Sequence, residues 1–418
     1  MKLIEKAEKN QEKQTTDDWI RNSNGKIKPN SPTNVVHFLS NNFLLKNAIK
    51  LNAFTEELET TTIKEGPIDI EEGAFKEDYY TDIRMYAEKE LGVTFTQDAL
   101  YQGVEKVARN NQYNPIVNYM DMAYKSWDQK KRLKTIFCDF LGAEESETTF
   151  LITRLFFTGA VATVYNSKAN FDYCLDLVGS QGVGKTLFFR RMAPLGYYTD
   201  AFSSFSAKDD IARMARNFIV NDDEMTATKN TSFEELKKFI SLIQIQYRPP
   251  YARKDISKDK KFILVRTTNI IYYLKDKTGD RRYLPIRCYP NPKMQVAEKL
   301  TPELVLQYWG EAVHWYKENP QGMRPFDENE NQLLVNQREK FRFTDDVDEE
   351  IYELMHNEFK DQEFIASRDI NEIINPHGYR RIFNRIKEIM TNDYNYKANV
   401  AKRINGKAVK GYLKNKET

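Results

Sequence analysis

The feature that most constrains this 418-residue chain is a glycine-rich stretch between two segments of different periodicity. The stretch begins at Gly179 and reads GSQGVGKT, a G-x-x-x-x-G-K-T pattern. It follows the apolar run CLDLV and precedes the amphipathic run LFFRRM. A strand before this pattern and a helix after it are the context that a phosphate-binding P-loop requires. The stretch therefore predicts an α/β fold in which a buried strand leads directly into a helix.

The chemistry of the stretch is suited to phosphate. Glycines allow backbone N–H groups to turn inward around phosphate oxygens, and the start of the following helix adds the positive end of its dipole. The ammonium of Lys185 is predicted to meet the β- and γ-phosphates, and the hydroxyl of Thr186 is predicted to bind Mg²⁺. ATP and Mg²⁺ are thus the expected cofactors. The predicted nucleotide-binding residues are Gly179, Ser180, Gln181, Gly182, Val183, Gly184, Lys185 and Thr186.

A second signal lies in the segment ARNFIVNDDEMTA, where the apolar run 218–220 is followed by Asn221 and three acids. Ligands of open α/β sheets bind at the carboxyl ends of the strands. One carboxylate is therefore expected to hold Mg²⁺ through water, and another to polarise the attacking water. The adjacent pairs Asp222 with Asp223 and Asp223 with Glu224 both fit these duties. The predicted metal ligands are Thr186, Asp222 and Asp223.

A polar residue also ends the third apolar strand, in KKFILVRTTN. The apolar run from Phe262 to Val265 leads to Thr267, Thr268 and Asn269. The Asn269 amide is expected to hydrogen-bond the attacking water or the γ-phosphate. The alternative is an asparagine that only caps or turns the chain.

Paired arginines follow the Gly279-Asp280 turn and precede another apolar strand. An arginine finger that reaches the nucleotide of a neighbouring subunit would lie in such a place. The alternative is a solvated pair of charges, and chemistry alone does not decide between the two. The predicted catalytic residues are Asp222, Asp223, Glu224, Asn269, Arg281 and Arg282.

The segment YRPPYARKDISKDKKF lies between the acidic strand and the strand that ends at Asn269. Its basic residues alternate with Tyr247 and Tyr251. Charges that follow phosphates and rings that stack on bases suit single-stranded nucleic acid. The alternative is a solvated basic loop. The basic residues are Arg248, Arg253, Lys254, Lys258, Lys260 and Lys261.

The C-terminal part divides by charge. Residues 343–372 carry eleven acids against two bases, and residues 379–418 carry eleven Lys and Arg against three acids. The pattern predicts helix, short strand, two helices and a basic hairpin around Asn405-Gly406. This order is typical of a winged helix, whose third helix enters the DNA major groove. The alternative is a small packing domain with a charged surface. The predicted DNA-binding residues here are Arg380, Arg381, Arg385, Lys402, Arg403 and Lys407.

Composition narrows the class of protein. With 40% hydrophobic and 30% charged residues the chain reads as soluble and globular. We expect no membrane span, because no run of about 18 apolar residues exists, and the N-terminal MKLIEKAEKNQEKQ lacks the apolar core of a secretory signal. Three dispersed cysteines, Cys138, Cys174 and Cys288, suit a reducing cytoplasm and form no zinc pattern.

The length predicts two to four domains. A mobile arm and a small mixed or helical region are expected over 1–110, and a helical region over 111–150 leads into the core. An ATPase core is expected over 151–335, and the winged-helix-like domain over 340–418.

Four motifs in this order, GSQGVGKT, YRPPYARK, TTN and TGDRRYLPI, strongly resemble the virulence-associated protein E family. These are P-loop ATPases of phages and mobile genomic islands, related to superfamily 3 helicases and AAA+ proteins. The resemblance covers about Asn114 to Ile286 and implies an AAA+-like core. Related superfamily 3 enzymes form hexameric rings that hold DNA in a central channel. Family members often sit beside a primase, although the first 110 residues carry no primase signature.

Residue by residue, the resemblance implies roles that agree with the chemistry above. The family often has Glu where this chain has Asn221, so Asp222 or Asp223 is expected to bind the metal ion instead. The positions that carry over are Lys185 and Thr186 as nucleotide ligands, Glu224 as an acid of the second motif, Asn269 as the sensor, and Arg281 and Arg282 as finger candidates.

The sequence thus predicts an ATP-dependent DNA helicase or replication initiator of a phage or mobile genomic island. It would translocate on single-stranded DNA as a hexameric ring. The expected partners are single-stranded and duplex DNA, further copies of the chain, and a primase or other replication protein. One alternative is a DNA-binding scaffold that uses ATP only to assemble, and another is a phage-interference factor; neither would displace strands.

Overall fold

Residues 18–122 form a unit of their own, built from helices around a small antiparallel sheet. The computed structural model describes residues 18–64, 68–166, 168–247, 256–274, 280–292, 294–343, 346–359, 362–392, 394, 396–404 and 407–415. The arm predicted at the N-terminus lies mostly outside these residues. Helix α1 (Pro32–Asn41) begins where the Ser31 hydroxyl accepts the Asn34 N–H, with Pro32 at the first helical position.

The sheet of this unit has the strand order β1-β2-β3, and its strands pair antiparallel. The second helix of the unit ends at Gly92, whose φ of 64° lies in the left-handed region that favours glycine. The remaining elements are β1 (Ile49–Asn52), β2 (Glu57–Thr60), β3 (Gly73–Ala74), α2 (Asp78–Leu91), α3 (Gln97–Asn110) and α4 (Pro115–Ser126).

The core of this unit joins α1 and α3 to the sheet. Val35, Leu39, Ile49, Ile83 and Val104 are fully buried in one cluster. Gly103 permits the close approach of the two helices, because a Cβ at this position would lie 2.4 Å from Cγ1 of Val35. The unit therefore contains a sheet that the predicted mixed or helical region did not specify.

The second unit comprises residues 123–247 and 257–418. Its first part alternates helices and strands, as the glycine-rich stretch predicted. The elements are α5 (Ile136–Leu141), α6 (Glu147–Tyr165), β4 (Cys174–Gly179), α7 (Lys185–Met192), β5 (Tyr198–Thr199), α8 (Lys208–Met214), β6 (Ile219–Asp222), α9 (Thr226–Lys229), α10 (Phe233–Ile240), β7 (Gln244–Tyr247), β8 (Ile256–Asp259), β9 (Ile263–Thr268), β10 (Tyr283–Cys288), α11 (Pro302–Glu318) and α12 (Glu328–Glu339).

Five strands of this unit form a parallel sheet in the order β10-β4-β9-β6-β5. Every residue of β4, β6 and β9 is buried, as expected of central strands in a parallel sheet that is covered on both faces. The predicted α/β class is confirmed. Because β4, β9 and β6 are neighbours, the segments that follow them meet at one edge of the sheet.

Helix α6 is 19 residues long and is apolar enough to cross a membrane by length and composition. However, 78% of its most apolar 18-residue window is buried inside the protein, as in the core helix of a soluble protein. Phe157 packs edge-on against Trp309 of α11, with ring centroids 5.4 Å apart. Gly159 lies under the ring of Phe171, which a Cβ would meet at 2.1 Å. Within the described residues this is the one helix with these properties.

The C-terminal part has a hydrophobic cluster of its own. Three strands pair antiparallel in the order β11-β13-β12. The predicted turn Asn405-Gly406 lies outside the described residues, but the strands on both sides of it pair as predicted. The elements are α13 (Asp346–Asn357), β11 (Phe364–Ala366), α14 (Ser367–Ile374), α15 (Arg380–Asn392), β12 (Tyr396–Ile404) and β13 (Lys407–Lys414).

Candidate active site

The glycine-rich loop connects the end of β4 to the first residue of α7, as predicted. Gly179 has a φ of 152° and lies against β10, where a Cβ would be 1.8 Å from the carbonyl oxygen of Cys288. Gly182 and Gly184 have φ values of 82° and 90°, a region that L side chains rarely adopt. At Gly182 the space that a side chain would fill is open. The loop is therefore a concave backbone turn that three glycines make possible.

Lys185 opens α7 and folds back over this loop. Its ammonium donates to the carbonyl oxygens of Gly179 and Ser180, at 2.7 and 2.8 Å, and to Oδ1 of Asn269 at 2.8 Å. The side chain is buried, and burial lowers the pKa of the ammonium below its ordinary value. Three neutral oxygen atoms thus hold the positive charge of Lys185 next to the loop.

Asp223 is the carboxylate that meets the start of α7. Its Oδ1 accepts the hydroxyl of Thr186 at 2.7 Å and the hydroxyl of Thr267 at 2.6 Å. Thr267 also accepts the backbone N–H of Glu224 at 3.1 Å. The ends of β6 and β9 and the start of α7 therefore converge on a single carboxylate oxygen.

Asp222 takes no part in this convergence, although it is adjacent in sequence. Its Oδ1 accepts the N–H of Ala227, and its Oδ2 accepts both the N–H and the hydroxyl of Thr228. The side chain is 1% exposed. Three hydrogen bonds thus join Asp222 to α9 rather than to the loop, which does not favour Asp222 as a metal or catalytic residue, and that assignment stays a prediction. Of the two adjacent pairs, only Asp223 with Glu224 faces the loop.

Glu224 and Met225 have left-handed backbone, with φ values of 53° and 51°. Side chains adopt this conformation at a cost of order 1 kcal/mol or more each, and such residues cluster at functional sites. The Glu224 side chain is exposed, and its Oε1 accepts the Asn269 amide at 3.0 Å. Asn269 therefore connects Lys185 to Glu224, so the predicted sensor contacts both the predicted phosphate ligand and the predicted base.

Asn221 was not assigned a role of its own, and the structure makes it part of the site. The residue is fully buried, and its Nδ2 donates to the hydroxyl of Tyr198 at 2.9 Å, with Oδ1 of Asp223 at 3.4 Å. Its Oδ1 has no hydrogen-bond partner among the described residues. A buried amide oxygen without a partner is uncommon, because leaving it unpaired costs free energy.

The chemistry of these residues fits a nucleotide with Mg²⁺. Hydroxyl, carboxylate and amide oxygens are ligands that suit Mg²⁺, and the Thr186 hydroxyl and the Asp223 carboxylate lie together, with the Asn221 amide next to them. The open space at Gly182 and the ammonium of Lys185 suit phosphate oxygens.

A buried ion pair lies in the middle strands, and sequence reasoning missed it. Arg266 of β9 donates to both carboxylate oxygens of Asp176 on β4, at 2.7 and 2.5 Å, and both side chains are almost fully buried. Tyr273 donates its hydroxyl to the same carboxylate. Burial is the largest single influence and opposes the charge, but the Asp176 carboxylate together with the other neighbouring groups outweighs it and raises the pKa of Arg266 well above its ordinary value. The sequence does contain a signal for this ion pair, because Asp176 and Arg266 each follow apolar residues within a buried strand.

The predicted arginines lie just before β10. Arg281 is exposed, whereas Arg282 donates from Nε to the hydroxyl of Ser241 at 2.8 Å. The preceding Asp280 pairs with Arg338 at 3.4 Å and with Arg342 at 3.1 Å. The position of the arginines is thus fixed by ion pairs to the end of α12 and the residues after it.

The basic segment divides into two groups. Arg248, Arg253 and Lys254 lie outside the described residues. Lys258 is buried, and Lys260 donates its ammonium to the carbonyl oxygen of Ile240. The described part of the segment therefore has Lys258 in a buried position and Lys260 against the end of α10, and the nucleic-acid-binding role of the segment stays a prediction.

The predicted basic residues of the C-terminal part are mostly exposed. Arg385 is half-buried and pairs with Glu388 at 3.1 Å. The exposed residues are Arg380, Arg381, Lys402, Arg403 and Lys407.

A cavity lies elsewhere in the second unit. Its volume is about 620 Å³, and it is lined by Phe150, Trp315 and Phe326 among others. The Arg154 guanidinium stacks on Phe326 at 3.8 Å and pairs with Glu330 at 2.5 Å. No residue predicted for the nucleotide site lines this cavity.

The fold and site define an α/β protein with a glycine-rich loop, a lysine and an acidic turn at the carboxyl edge of a parallel sheet. Residues 121–343 match the family described as virulence-associated protein E-like domain, which is more than half of the chain. The chain therefore belongs to this family, as its motifs indicated.

Among solved structures, the chain is remotely similar to the NrS-1 C-terminal region in its apo state. Two structures of residues 305–718 of that protein have TM-scores of 0.43 at 12% and 14% identity, covering 92% and 93% of this chain. A third apo structure has a TM-score of 0.47 at 13% identity and 92% coverage, and each NrS-1 chain is covered fully. No curated protein sequence matches the chain.

Proposed function

We propose that this protein is an ATP-dependent DNA helicase or replication-initiator ATPase of a phage or mobile genomic island. Its second unit would contain an AAA+-like P-loop core followed by a winged helix. The convergence of Lys185, Thr186, Asp223, Glu224 and Asn269 on one edge of the parallel sheet is the observation that carries this proposal.

In this proposal each residue has a role that follows from its chemistry. Bound ATP with Mg²⁺ would supply the γ-phosphoryl group and a cation that neutralises its oxygens. Lys185 would exchange its three neutral acceptors for phosphate oxygens. Thr186 and Asp223 would hold the metal ion, and Glu224 would take a proton from water at its exposed carboxylate.

The DNA part of the proposal has separate support. The order of helices and strands in the C-terminal part supports the proposed winged helix, and basic side chains are exposed on α15, β12 and β13. Basic patches bind nucleic acid through phosphates and release counterions.

The test combines binding, turnover and strand displacement. Lys185→Ala should lose binding of a fluorescent ATP analogue, because the charge that meets the phosphates is gone. Glu224→Gln should retain binding while phosphate release falls by about 100-fold or more. Glu234→Gln, which changes a highly exposed carboxylate on α10, is the matched control and should behave as wild type.

A forked duplex with labelled strands then measures displacement. Loss of displacement in Glu224→Gln, with displacement intact in Glu234→Gln, would support a helicase. If the wild-type protein hydrolyses ATP and binds DNA but displaces no strand, the scaffold alternative replaces the helicase. If the wild-type protein binds no ATP analogue, the proposed function is wrong as a whole.

A further inference from the structure

Helix α15 begins with two aromatic side chains that face solvent. Tyr379 is 60% exposed and Phe383 is 38% exposed. The N–H of Phe383 donates to the carbonyl oxygen of Tyr379 at 3.1 Å, so the two residues are one helical turn apart. Residues at this spacing lie on one face of a helix, so the start of α15 carries both rings on one side, and the His377 ring lies 5.8 Å from that of Tyr379.

The backbone under Tyr379 is fixed by a dedicated contact. Asn375 ends α14 and is 5% exposed. Its Oδ1 accepts the N–H of Tyr379 at 2.8 Å, and its Nδ2 donates to the carbonyl oxygen of Tyr379 at 3.0 Å. Both ends of a buried amide thus hold the residue that carries the most exposed ring of this part. A ring on a fixed backbone loses little conformational entropy on binding.

The charges around these rings favour an anionic partner. Arg380 and Arg381 follow Tyr379 directly and are exposed, and Lys387 is exposed one turn after Phe383. The Glu388 carboxylate is paired with Arg385 at 3.1 Å, and Glu372 is the exposed carboxylate at the end of α14. Rings interleaved with guanidinium groups suit stacking on bases between phosphates.

We infer that the start of α15 stacks Tyr379 and Phe383 on unpaired bases where duplex DNA opens into single strands. This inference rests on the proposed function and names its substrate as a fork junction. An aromatic face gains most from a base whose own face is free, and such bases occur in single strands and at junctions rather than inside a duplex. The exposed arginines beside the rings would hold the adjoining phosphates.

The experiment measures fluorescence anisotropy of the full chain with a forked duplex and a blunt duplex of the same sequence, across a salt series. Tyr379→Ala should weaken fork binding by about fivefold or more, and blunt-duplex binding by less than about twofold. Tyr379→Phe keeps the ring and should bind both probes as wild type does. Because Tyr379 is exposed, neither variant is expected to alter the unfolding transition.

The salt dependence of binding distinguishes the contribution of ring stacking from that of phosphate contacts. Arg380→Ala/Arg381→Ala should weaken both probes and reduce the slope of log affinity against log salt by about one to two, one for each lost phosphate contact. Tyr379→Ala should leave that slope unchanged. Phe383→Ala should act like Tyr379→Ala.

The outcomes distinguish this inference from the function on which it rests. If the wild-type protein binds neither probe, the DNA part of the proposed function is wrong. If the wild-type protein binds but Tyr379→Ala retains its affinity for the fork, the rings serve another partner and the inference is overturned. Equal losses on fork and blunt duplex would overturn it too, because the ring would then contact paired DNA.

Discussion

Two adjacent aspartates have different hydrogen-bond partners because their side chains point in different directions. Asp222 and Asp223 come from the same strand end, yet Asp222 is bonded to α9 and Asp223 to the start of α7. Asp222 is the last residue of β6 and Asp223 begins the turn that follows it, so the two side chains leave the backbone toward different elements. Of the predicted metal ligands, Thr186 and Asp223 are hydrogen-bonded to each other, with the Asn221 amide nitrogen 3.4 Å from Asp223.

Lys260 offers a test of burial at a single residue. Burial lowers the pKa of its ammonium to about 8 from an ordinary value of 10.5. Below pH 8 both the folded and the unfolded chain carry this proton, and the folded state bears the cost of the buried charge. Between pH 8 and 10.5 the unfolded chain binds more protons, so the contribution of this group to stability rises with pH.

We therefore expect Lys260→Met to stabilise the protein at pH 7 by on the order of 1–2 kcal/mol, and to flatten the rise in unfolding free energy between pH 8 and 10. Urea unfolding at several pH values measures this. Lys238→Met, at an exposed lysine on α10, is the control and should change neither quantity. A Lys260→Met protein whose unfolding free energy changes with pH as that of the wild type does would contradict the prediction.

Among the elements, α9 and the middle strands form one polar connection beneath the site. Asp176 of β4, Arg266 of β9 and Asp222 of β6 are partners across the sheet. Arg266 donates to the hydroxyl of Thr228 at 3.3 Å, and this hydroxyl donates to Asp222 at 2.6 Å. The turn that carries Asp223 and Glu224 is therefore connected through α9 to a buried charge pair.

Thr228→Val tests this connection, because it removes the hydroxyl and retains the shape of the side chain. We expect phosphate release to fall by about tenfold, with binding of the ATP analogue nearly unchanged. Hydrogen exchange of the peptide that spans 222–231 should also quicken, and this readout does not depend on activity.

The control for that prediction is Thr231→Val. Its hydroxyl donates to the carbonyl oxygen of Ala227 at 2.8 Å, next to the same helix, but it does not reach the ion pair. If both variants exchange and turn over alike, the effect belongs to α9 in general and the connection through Arg266 carries no function.

Elements and loop were predictable from sequence because their signals are local. The glycine pattern, the apolar runs and the stop at Gly92 each follow from residues within a few positions. The bond from Thr186 to Asp223 and the bonds from Thr267 and Asn269 to Glu224 join segments 37 to 45 residues apart, and Asp176 pairs with Arg266 across 90 residues. Hydrophobic periodicity does not indicate such contacts, so the sequence alone did not distinguish the roles of Asp222 and Asp223.

For the whole molecule, the exposed Arg281 raises the question of what completes the site. Glu224 and Arg281 are both exposed, and Arg282 is bonded to Ser241 of its own chain. If subunits associate head to tail, an arginine of one copy would meet the nucleotide of the next. The ring and the shared site stay predictions, and one mixing experiment addresses both.

An Arg281→Ala/Arg282→Ala protein and a Lys185→Ala protein should each lack ATPase activity. An equal mixture should recover about a quarter of the wild-type rate, because half the junctions contribute an intact loop and half of those meet an intact arginine. Phosphate release measures recovery, and native mass spectrometry shows whether mixed oligomers form. A mixture that forms oligomers but stays inactive would place the arginines in their own subunit's site or outside any site.

The burial of α6 also has a consequence for the synthesis of the chain. This helix is apolar enough to resemble a membrane segment, and it packs against Trp309 of α11, which is translated about 140 residues later. At about 5–20 residues per second, a ribosome needs on the order of ten to thirty seconds to supply that cover. Until then α6 exposes apolar surface to which chaperones and other nascent chains can bind. The yield of folded protein therefore depends on how long this surface stays exposed.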